Sequence, residues 1–342
     1  MKKFYLSLFF LSISMVAVKA QDLTYSQFYE QPLLRNPALA GVFTGDIRVS
    51  LAYRDQWASV TVPFRTGSMS IEYKIPVTKQ NDFLTMGLQM TEDGAGDIRL
   101  KRTQLLPALN YHKSLSGNSD TYLSVAFMGG PVFTQFDPSQ LIFGDQYRGD
   151  AYNSSNPTAQ TIKASGYTYW DMTTGVSLST QFAEKGRMYI GGSLAHFGKP
   201  TVTSVLGGDE SFLFPKLTFN LGVNSPIGDR DRVIAFADYF SQHGNRQLLG
   251  GFLYGLDVQD NYYEDKDPVT FYMGSFLRWG DALIPVVKLD FDHMSFGLSY
   301  DINISKLNAV SNSHGGFELT ASYKGFLKVV NTTLDKVRCT RF

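Results

Sequence analysis

From about Ile47 to Phe326 this chain repeats one device, short segments in which apolar and polar residues alternate, divided by turns rich in Gly, Asp and Asn. In Phe83–Met90, Leu84, Met86, Leu88 and Met90 share one parity, while Thr85, Gly87 and Gln89 share the other. The segments 217–223 and 295–300 follow the same rule. Side chains of a strand alternate faces, so each segment reads as a strand with one apolar and one polar side. Many such strands, with no amphipathic helix between them, point to a barrel whose outside meets lipid and whose inside meets water.

The first twenty residues have the form of a secretory signal. Met1-Lys2-Lys3 carries the charge, Phe4 to Val18 is mostly apolar, and Val18-Lys19-Ala20 offers a cleavage site that would leave Gln21 first. No cysteine stands near that point, which argues against a lipid anchor there. Beyond it, no apolar run approaches the roughly 18 residues of a spanning helix. The precursor has zero formal net charge, and loss of Lys2, Lys3 and Lys19 leaves the rest about three units acidic. With no basic stripe, nucleic acid is not an expected partner. A lone cysteine, Cys339, excludes an internal disulfide framework and a Cys-based zinc site. Abundant Tyr and Phe suit interfacial belts beside lipid, and would equally suit a secreted soluble β-protein.

The pattern predicts fourteen strands, at 47–57, 65–75, 83–92, 100–112, 121–133, 168–182, 188–198, 214–224, 232–241, 246–257, 268–279, 282–291, 294–303 and 315–326. Most have about the nine to eleven residues a tilted strand needs to cross a bilayer. The expected organisation is a signal at 1–20, a non-strand extension at 21–46, an all-β transmembrane antiparallel barrel at 47–326 and a tail at 327–342. The two longest connections, 134–167 and 199–213, fall at one end, and the compact turns 183–187 and 290–293 at the other. Long external loops and short periplasmic turns are the habit of outer-membrane barrels; against it, 242–245 and 280–281 would be external yet short, and 259–267 a longish periplasmic turn. Pro107 and Pro285 lie inside expected strands and mark candidate bulges. The extension and the tail would be periplasmic or tucked into the lumen.

Catalytic and metal readings find little support. His112, His196, His243, His293 and His314 are widely spaced and form no ligand pair. A barrel hydrolase would need a Ser–His pair oriented by a third group, and no G-x-S-x-G turn is present. The acidic run Asp257, Asp260, Glu264, Asp265, Asp267 lacks the central Gly and closing Glu of a calcium loop and reads as a solvated turn. Gly94-Ala95-Gly96 reads as a turn, not a phosphate loop, and Asn153-Ser154-Ser155 as a polar loop. No cofactor is expected. Tyr53-Arg54-Asp55-Gln56-Trp57 closes the first strand with a cation, an anion, an amide and aromatics together. It is either an interfacial Trp beside a lumen-facing ion pair or a contact platform at the barrel mouth.

Several motifs in order resemble the PorP/SprF family, outer-membrane barrels of the Bacteroidetes type IX secretion and gliding systems. They are Tyr25-Ser26-Gln27-Phe28, Asn36-Pro37-Ala38-Leu39-Ala40-Gly41, Tyr53–Trp57, Phe143-Gly144-Asp145-Gln146-Tyr147, Tyr300–Leu307, Gly315–Leu319 and Arg338-Cys339-Thr340-Arg341-Phe342. The family usually ends Cys-Pro-Arg-Phe, so Thr340 departs from it. The resemblance implies a non-enzymatic outer-membrane protein that holds secreted cargo, such as a surface adhesin, by the cargo's C-terminal sorting domain. It also implies a link to periplasmic secretion and gliding components. The alternative is a channel or hydrophobic-solute transporter. Long polar loops on a rigid scaffold are where recognition usually sits, and aromatic and Arg side chains carry interface energy. Tyr53, Arg54, Trp57, Tyr147, Arg148, Tyr152 and Phe212 are therefore the expected partner contacts at one face. Segment 22–45 and the tail ending at Phe342 are those expected for periplasmic machinery, with both termini periplasmic.

Overall fold

A computed structural model describes residues 23–58, 62–77, 81–116, 120–149, 151–162, 164–182, 185–202, 211–259, 269–306 and 311–327. Its first barrel strands are β1 (Ile47–Gln56), β2 (Phe64–Pro76), β3 (Phe83–Ala95), β4 (Leu100–Ser114) and β5 (Tyr122–Gln135). A small hairpin, β6 (Tyr147–Arg148) with β7 (Ala151–Tyr152), precedes β8 (Gly166–Phe182) and β9 (Gly186–Ala195). A second, β10 (Thr201–Val202) with β11 (Ser211–Phe212), precedes β12 (Lys216–Pro226), β13 (Asp231–Gln242) and β14 (Asn245–Gln259). The last four are β15 (Val269–Arg278), β16 (Ala282–Phe291), β17 (Met294–Asn303) and β18 (His314–Gly325).

Setting the two small hairpins aside, each strand pairs antiparallel with the next, and β18 closes on β1, giving a fourteen-stranded closed barrel. Closure leaves no sheet edge unpaired, the condition for a sheet to exist in lipid. All fourteen strands expected from alternation are present. The parity also holds: Leu217, Phe219, Leu221, Phe296, Leu298 and Tyr300 point outward and are exposed, while Thr218, Asn220, Ser295 and Ser299 point inward and are buried.

The two strand prolines do not make bulges. β4 and β5 keep one register on both sides of Leu105–Pro107, and β16 and β17 do so around Pro285. The ladder lapses where the proline nitrogen has no proton to donate and resumes in phase. The register shifts lie instead at Asp257/Gln259 and Asp301/Ile302.

The core of the barrel is its own N-terminal segment. Residues 23–46 run through the lumen as single turns, 3-10 at Phe28–Glu30, α1 at Pro32–Arg35 and 3-10 at Pro37–Leu39. Asn36 caps the last of these by accepting from the Ala38 amide at 2.9 Å. Small barrels fill with wall side chains alone, but the interior widens with strand number, so fourteen strands leave space that must be open or occupied. Here it is occupied.

Candidate functional site

The contact between plug and wall is built mainly by wall side chains that satisfy the backbone of residues 24–43. Arg54 donates to the Thr24 carbonyl. The Glu318 carboxylate accepts the Ser26 and Gln27 amides, each at 2.7 Å. Ser193 donates to the Arg35 carbonyl at 2.9 Å, and Ser177 to the Ala38 carbonyl at 2.8 Å. Asn110 donates to the carbonyls of Ala38 and Ala40 at 3.0 and 2.8 Å. Glu72 accepts the Gly41 amide at 2.8 Å, and Lys74 donates to the Phe43 carbonyl. A non-helical, non-sheet segment can be buried only if its peptide groups find partners. The polar face of the strands supplies them.

Asn36 shows how closely the two surfaces fit. Its amide donates to the carbonyls of Val176 and Gly192, each at 3.2 Å. Gly175 and Gly191 make the approach possible, since a Cβ at either would collide with the Asn36 amide. The Asn-Pro-Ala stretch and these wall glycines therefore form one joint.

Buried ion pairs fix the depth of the plug. Arg35 forms a two-pronged pair with Asp238 at 2.7 and 2.6 Å, donates to the Tyr189 hydroxyl at 2.9 Å, and lies over the Phe28 ring. Glu30 meets Lys288 at 2.8 Å. Near the plug's first residues, Asp301 sits between Arg54 and Arg278 at 2.7 and 3.1 Å, and also accepts from the Ser26 hydroxyl. Apolar contacts complete the fit. Tyr29 is sandwiched between Phe236 and Phe276, with ring centroids 5.0 and 5.1 Å away. Leu33 packs with Leu106, Ala108 and Met128. The inner face of β13–β16 is correspondingly apolar, with Ile234, Phe236, Leu249, Leu253, Tyr272, Phe276 and Ile284 buried.

Space remains at each end of the plug. A cavity of about 620 Å³ opens at the end that bears the long connections, bordered by Leu23, Thr24, Arg54, Trp57, Arg102 and Arg278. A smaller one, about 130 Å³, opens at the opposite end beside Glu30, Lys288 and Lys324. Leu23 thus lies at the loop-bearing end. The last described residue, Leu327, donates its amide to Asp46 at the other end, where β1 begins.

The residues expected to bind partners fall into different surroundings. Tyr53 faces outward against Phe317, with ring centroids 6.1 Å apart. Arg54 faces inward, 4% exposed by its side chain, and pairs with Asp301 across the barrel seam and not with the adjacent Asp55. Trp57 has a left-handed backbone, φ 59°, and packs edge-on to Phe64 beside the larger cavity. Tyr147 and Tyr152 form an exposed cross-strand pair on the β6–β7 hairpin with Arg148 next to them. Phe212 is exposed beside Phe214, which stacks on His243. Phe342, Cys339 and the acidic run beyond Gln259 lie outside the described residues, as does the leader.

The long connection after β5 is braced from within. Asp145 accepts the Ala159 amide at 2.7 Å and the Thr158 hydroxyl at 3.0 Å, and these bonds hold its carboxyl below the usual carboxylate range. Gln146 and Asn156 exchange side-chain-to-backbone bonds across the same loop. The Phe143–Tyr147 motif is therefore the loop's internal clasp, and it presents the Tyr147/Tyr152 pair.

The histidines have structural partners. His112 lies between the Thr85 and Ser124 hydroxyls under the Phe83 ring, and His196 pairs with Asp171 at 2.8 Å. Among the described residues, no three His, Cys, Asp or Glu side chains gather as a metal site. Sequence reasoning passed over Arg35, Glu72, Asp238, Arg278, Asp301 and Glu318. Five of them lie in strands, and each is a charge at the inward parity of its strand, a signal that marks the lumen face but that a water-filled lumen would share.

A family model described as type IX secretion system membrane protein PorP/SprF matches residues 17–323. No curated protein matches the chain. Among solved structures, the toluene transporter TbuX of Ralstonia pickettii is similar at 13% identity and a TM-score of 0.48, over 86% of this chain and 93% of that one. The toluene transporter TodX of P. putida is similar at 10% identity and a TM-score of 0.48, with the same shares covered. The translocator domain of the autotransporter NalP from Neisseria meningitidis is similar at 10% identity and a TM-score of 0.44, over 86% of this chain and 94% of that one.

Proposed function

The chain belongs to the PorP/SprF family of type IX secretion system membrane proteins, and from that premise we propose that it is a plugged outer-membrane barrel that tethers secreted cargo. In this reading the loop-bearing end faces outward and holds the C-terminal sorting domain of a secreted protein such as an adhesin. The turn-bearing end faces the periplasm and its secretion or gliding components. The observation that carries the reading is the filled lumen. A barrel whose interior is occupied by residues 23–46, and pinned there by Arg35–Asp238 and Glu30–Lys288, is built to hold its shape under load.

With the loop-bearing end outward, as the habit of loop lengths supports, Leu327 lies on the periplasmic side. On the same orientation Leu23 lies at the outer mouth, while the termini expected to be periplasmic lie outside the described residues. Segment 22–45 then braces the barrel, and the tail is left as the contact for periplasmic components. On the outer side Tyr147, Arg148, Tyr152 and Phe212 are the proposed cargo contacts. Tyr53, turned to lipid, and Arg54, committed to the plug, leave that set, while Trp57 stays at the rim.

The experiment is a pull-down of the detergent-solubilised barrel with and without residues 149–163. Co-purification of a large secreted protein through its C-terminal domain, lost on trimming, supports tethering. Retention of that cargo by the trimmed, assembled barrel rejects the outer contact surface. The second reading, a diffusion channel or hydrophobic-solute transporter, has the cavities at both ends of the plug in its favour. It requires the plug to leave, against the buried pairs that hold it.

A further inference from the structure

One pairing of this barrel is not favoured by the order of its chain. Every other barrel strand pairs with the one that follows it, whereas β18 must find β1 from the far end of the sequence. Bringing distant segments together costs loop-closure entropy before the pairing repays it. At both ends of this seam the N-terminal segment touches the two sides at once. At the turn-bearing end, Asp46 donates its amide to the Gly325 carbonyl and accepts the Lys74 amide, each at 2.8 Å, while its carboxylate accepts the Leu327 amide at 2.9 Å. Gly45, with φ 112°, turns the chain so close to β18 that a Cβ would fall 2.7 Å from the Gly325 carbonyl oxygen.

At the loop-bearing end the segment takes the place of a cross-seam ion pair. Arg54 and Glu318 are direct partners across the seam, a placement that favours opposite charges, yet they stand 3.8 Å apart. Arg54 donates to the Thr24 carbonyl, and Glu318 accepts the Ser26 and Gln27 amides at 2.7 Å. The Gln27 side chain donates to the Glu318 carbonyl at 3.1 Å and accepts from the Thr320 hydroxyl at 2.8 Å. Gly297 on β17 makes room for it, since a Cβ there would overlap its amide oxygen. The Ser26 hydroxyl donates to Asp301 on β17 at 2.5 Å, and on the other side of the seam Gln31 accepts from Ser68 on β2 at 2.7 Å. The contacts to β4, β8, β9 and β13 differ in kind, because those strands are brought together by their own short-range order.

We propose that residues 24–46 are the template for barrel closure. Continuous with β1 and docked on β2, the segment presents Ser26, Gln27 and Asp46 to β17 and β18 and draws the last strand onto the first. Its role begins in assembly, ahead of any role in the finished barrel as tether or pore.

The test follows refolding of the urea-unfolded chain into detergent, with pyrene on pairs of outward residues in a Cys339→Ser background. Leu51→Cys and Ala321→Cys are opposed across the seam, Leu109→Cys and Phe127→Cys across β4–β5, so excimer emission reports closure and ordinary pairing separately. Ser26→Ala with Gln27→Ala removes the side-chain bonds to β17 and β18. It should slow the seam excimer about tenfold while the β4–β5 excimer keeps its rate. Asn36→Ala removes the bonds to Val176 and Gly192, away from the seam, and should speed unfolding but leave seam closure within about twofold of wild type. A chain lacking residues 24–41 should close more slowly than any of these. Should the double variant fail to refold, Thr320→Val, which removes one bond to Gln27, should slow the seam about threefold. Closure at the wild-type rate in the double variant, in Thr320→Val where that stands in for it, or in the chain lacking residues 24–41 overturns the proposal, as does equal slowing by Asn36→Ala.

Discussion

Removing Asp238 should release the plug, because it strands Arg35 inside the barrel. The guanidinium and carboxylate are each 6% exposed by side chain, and they meet through two bonds of 2.7 and 2.6 Å. With charge centres about 4 Å apart and an effective dielectric of about 20, the attraction is roughly 4 kcal/mol. Truncating one partner of such a pair costs about 3–5 kcal/mol, chiefly because the other charge stays buried without compensation. The Tyr189 hydroxyl and the Phe28 ring remain beside Arg35 but cannot neutralise it. Asp238→Ala should therefore lose about 3–5 kcal/mol in denaturant unfolding of the refolded barrel, or else let the plug slip while the barrel stays closed. Trypsin distinguishes the two outcomes, since the Arg35–Asn36 bond is cut only in a released plug. Arg35→Met with Asp238→Leu, which replaces the pair by apolar groups, should recover most of the loss. An Asp238→Ala barrel that unfolds within about 1 kcal/mol of wild type and also resists trypsin at Arg35 would refute this account of the pair.

Leu298→Lys puts a charge on the outward face and should destabilise insertion by about 2–4 kcal/mol if the site is near the bilayer midplane, read as loss of folded barrel in lipid vesicles. Glu318→Ala removes the acceptor of the Ser26 and Gln27 amides and should loosen the plug at its Leu23 end first, seen as faster amide exchange at residues 24–27 than at 36–41. At the turn before β3, burial would raise the Asp82 carboxyl, but bonds from Lys113, the Ser114 amide and the Tyr111 hydroxyl outweigh it and lower its pKa. A carboxyl lowered on folding stabilises the fold above its unfolded pKa of about 3.9 and loses that contribution as pH falls through the folded value. The melting midpoint of Asp82→Asn should thus fall less than that of wild type on acidification below about pH 4, and parallel curves would count against the assignment.

The strands were legible because one parity of each had to be apolar. The segments 282–291 and 294–303 coincide with β16 and β17, since Leu283, Val287, Leu289, Phe296 and Leu298 all face lipid. The same rule, applied residue by residue, would have divided Tyr53–Trp57 into an outward Tyr53 and an inward Arg54, instead of one platform. The seat of the plug was not legible. Asn110 and Ser177 donate to the Ala38 and Ala40 carbonyls, and the Asn36 amide donates to the Val176 and Gly192 carbonyls; these partners lie far along the chain, and every one of the bonds uses a backbone carbonyl that any residue carries. The apolar lumen face of β13–β16 was hidden for another reason. Leu248 and Leu249, or Phe252 and Leu253, are apolar at both parities, so no alternation marked Leu249 and Leu253 as docking surface. Expecting Pro107 and Pro285 to shift the register overestimated a missing proton, which removes a bond without inserting a residue.

Conductance in planar bilayers tests the central claim, that residues 23–46 close this barrel and leave it a tether and not a pore. The wild type should show no large steady conductance, and a chain lacking residues 24–41, if it still assembles, should conduct. Steady, large conductance from the wild type with the plug intact, unchanged by that deletion, would contradict the account.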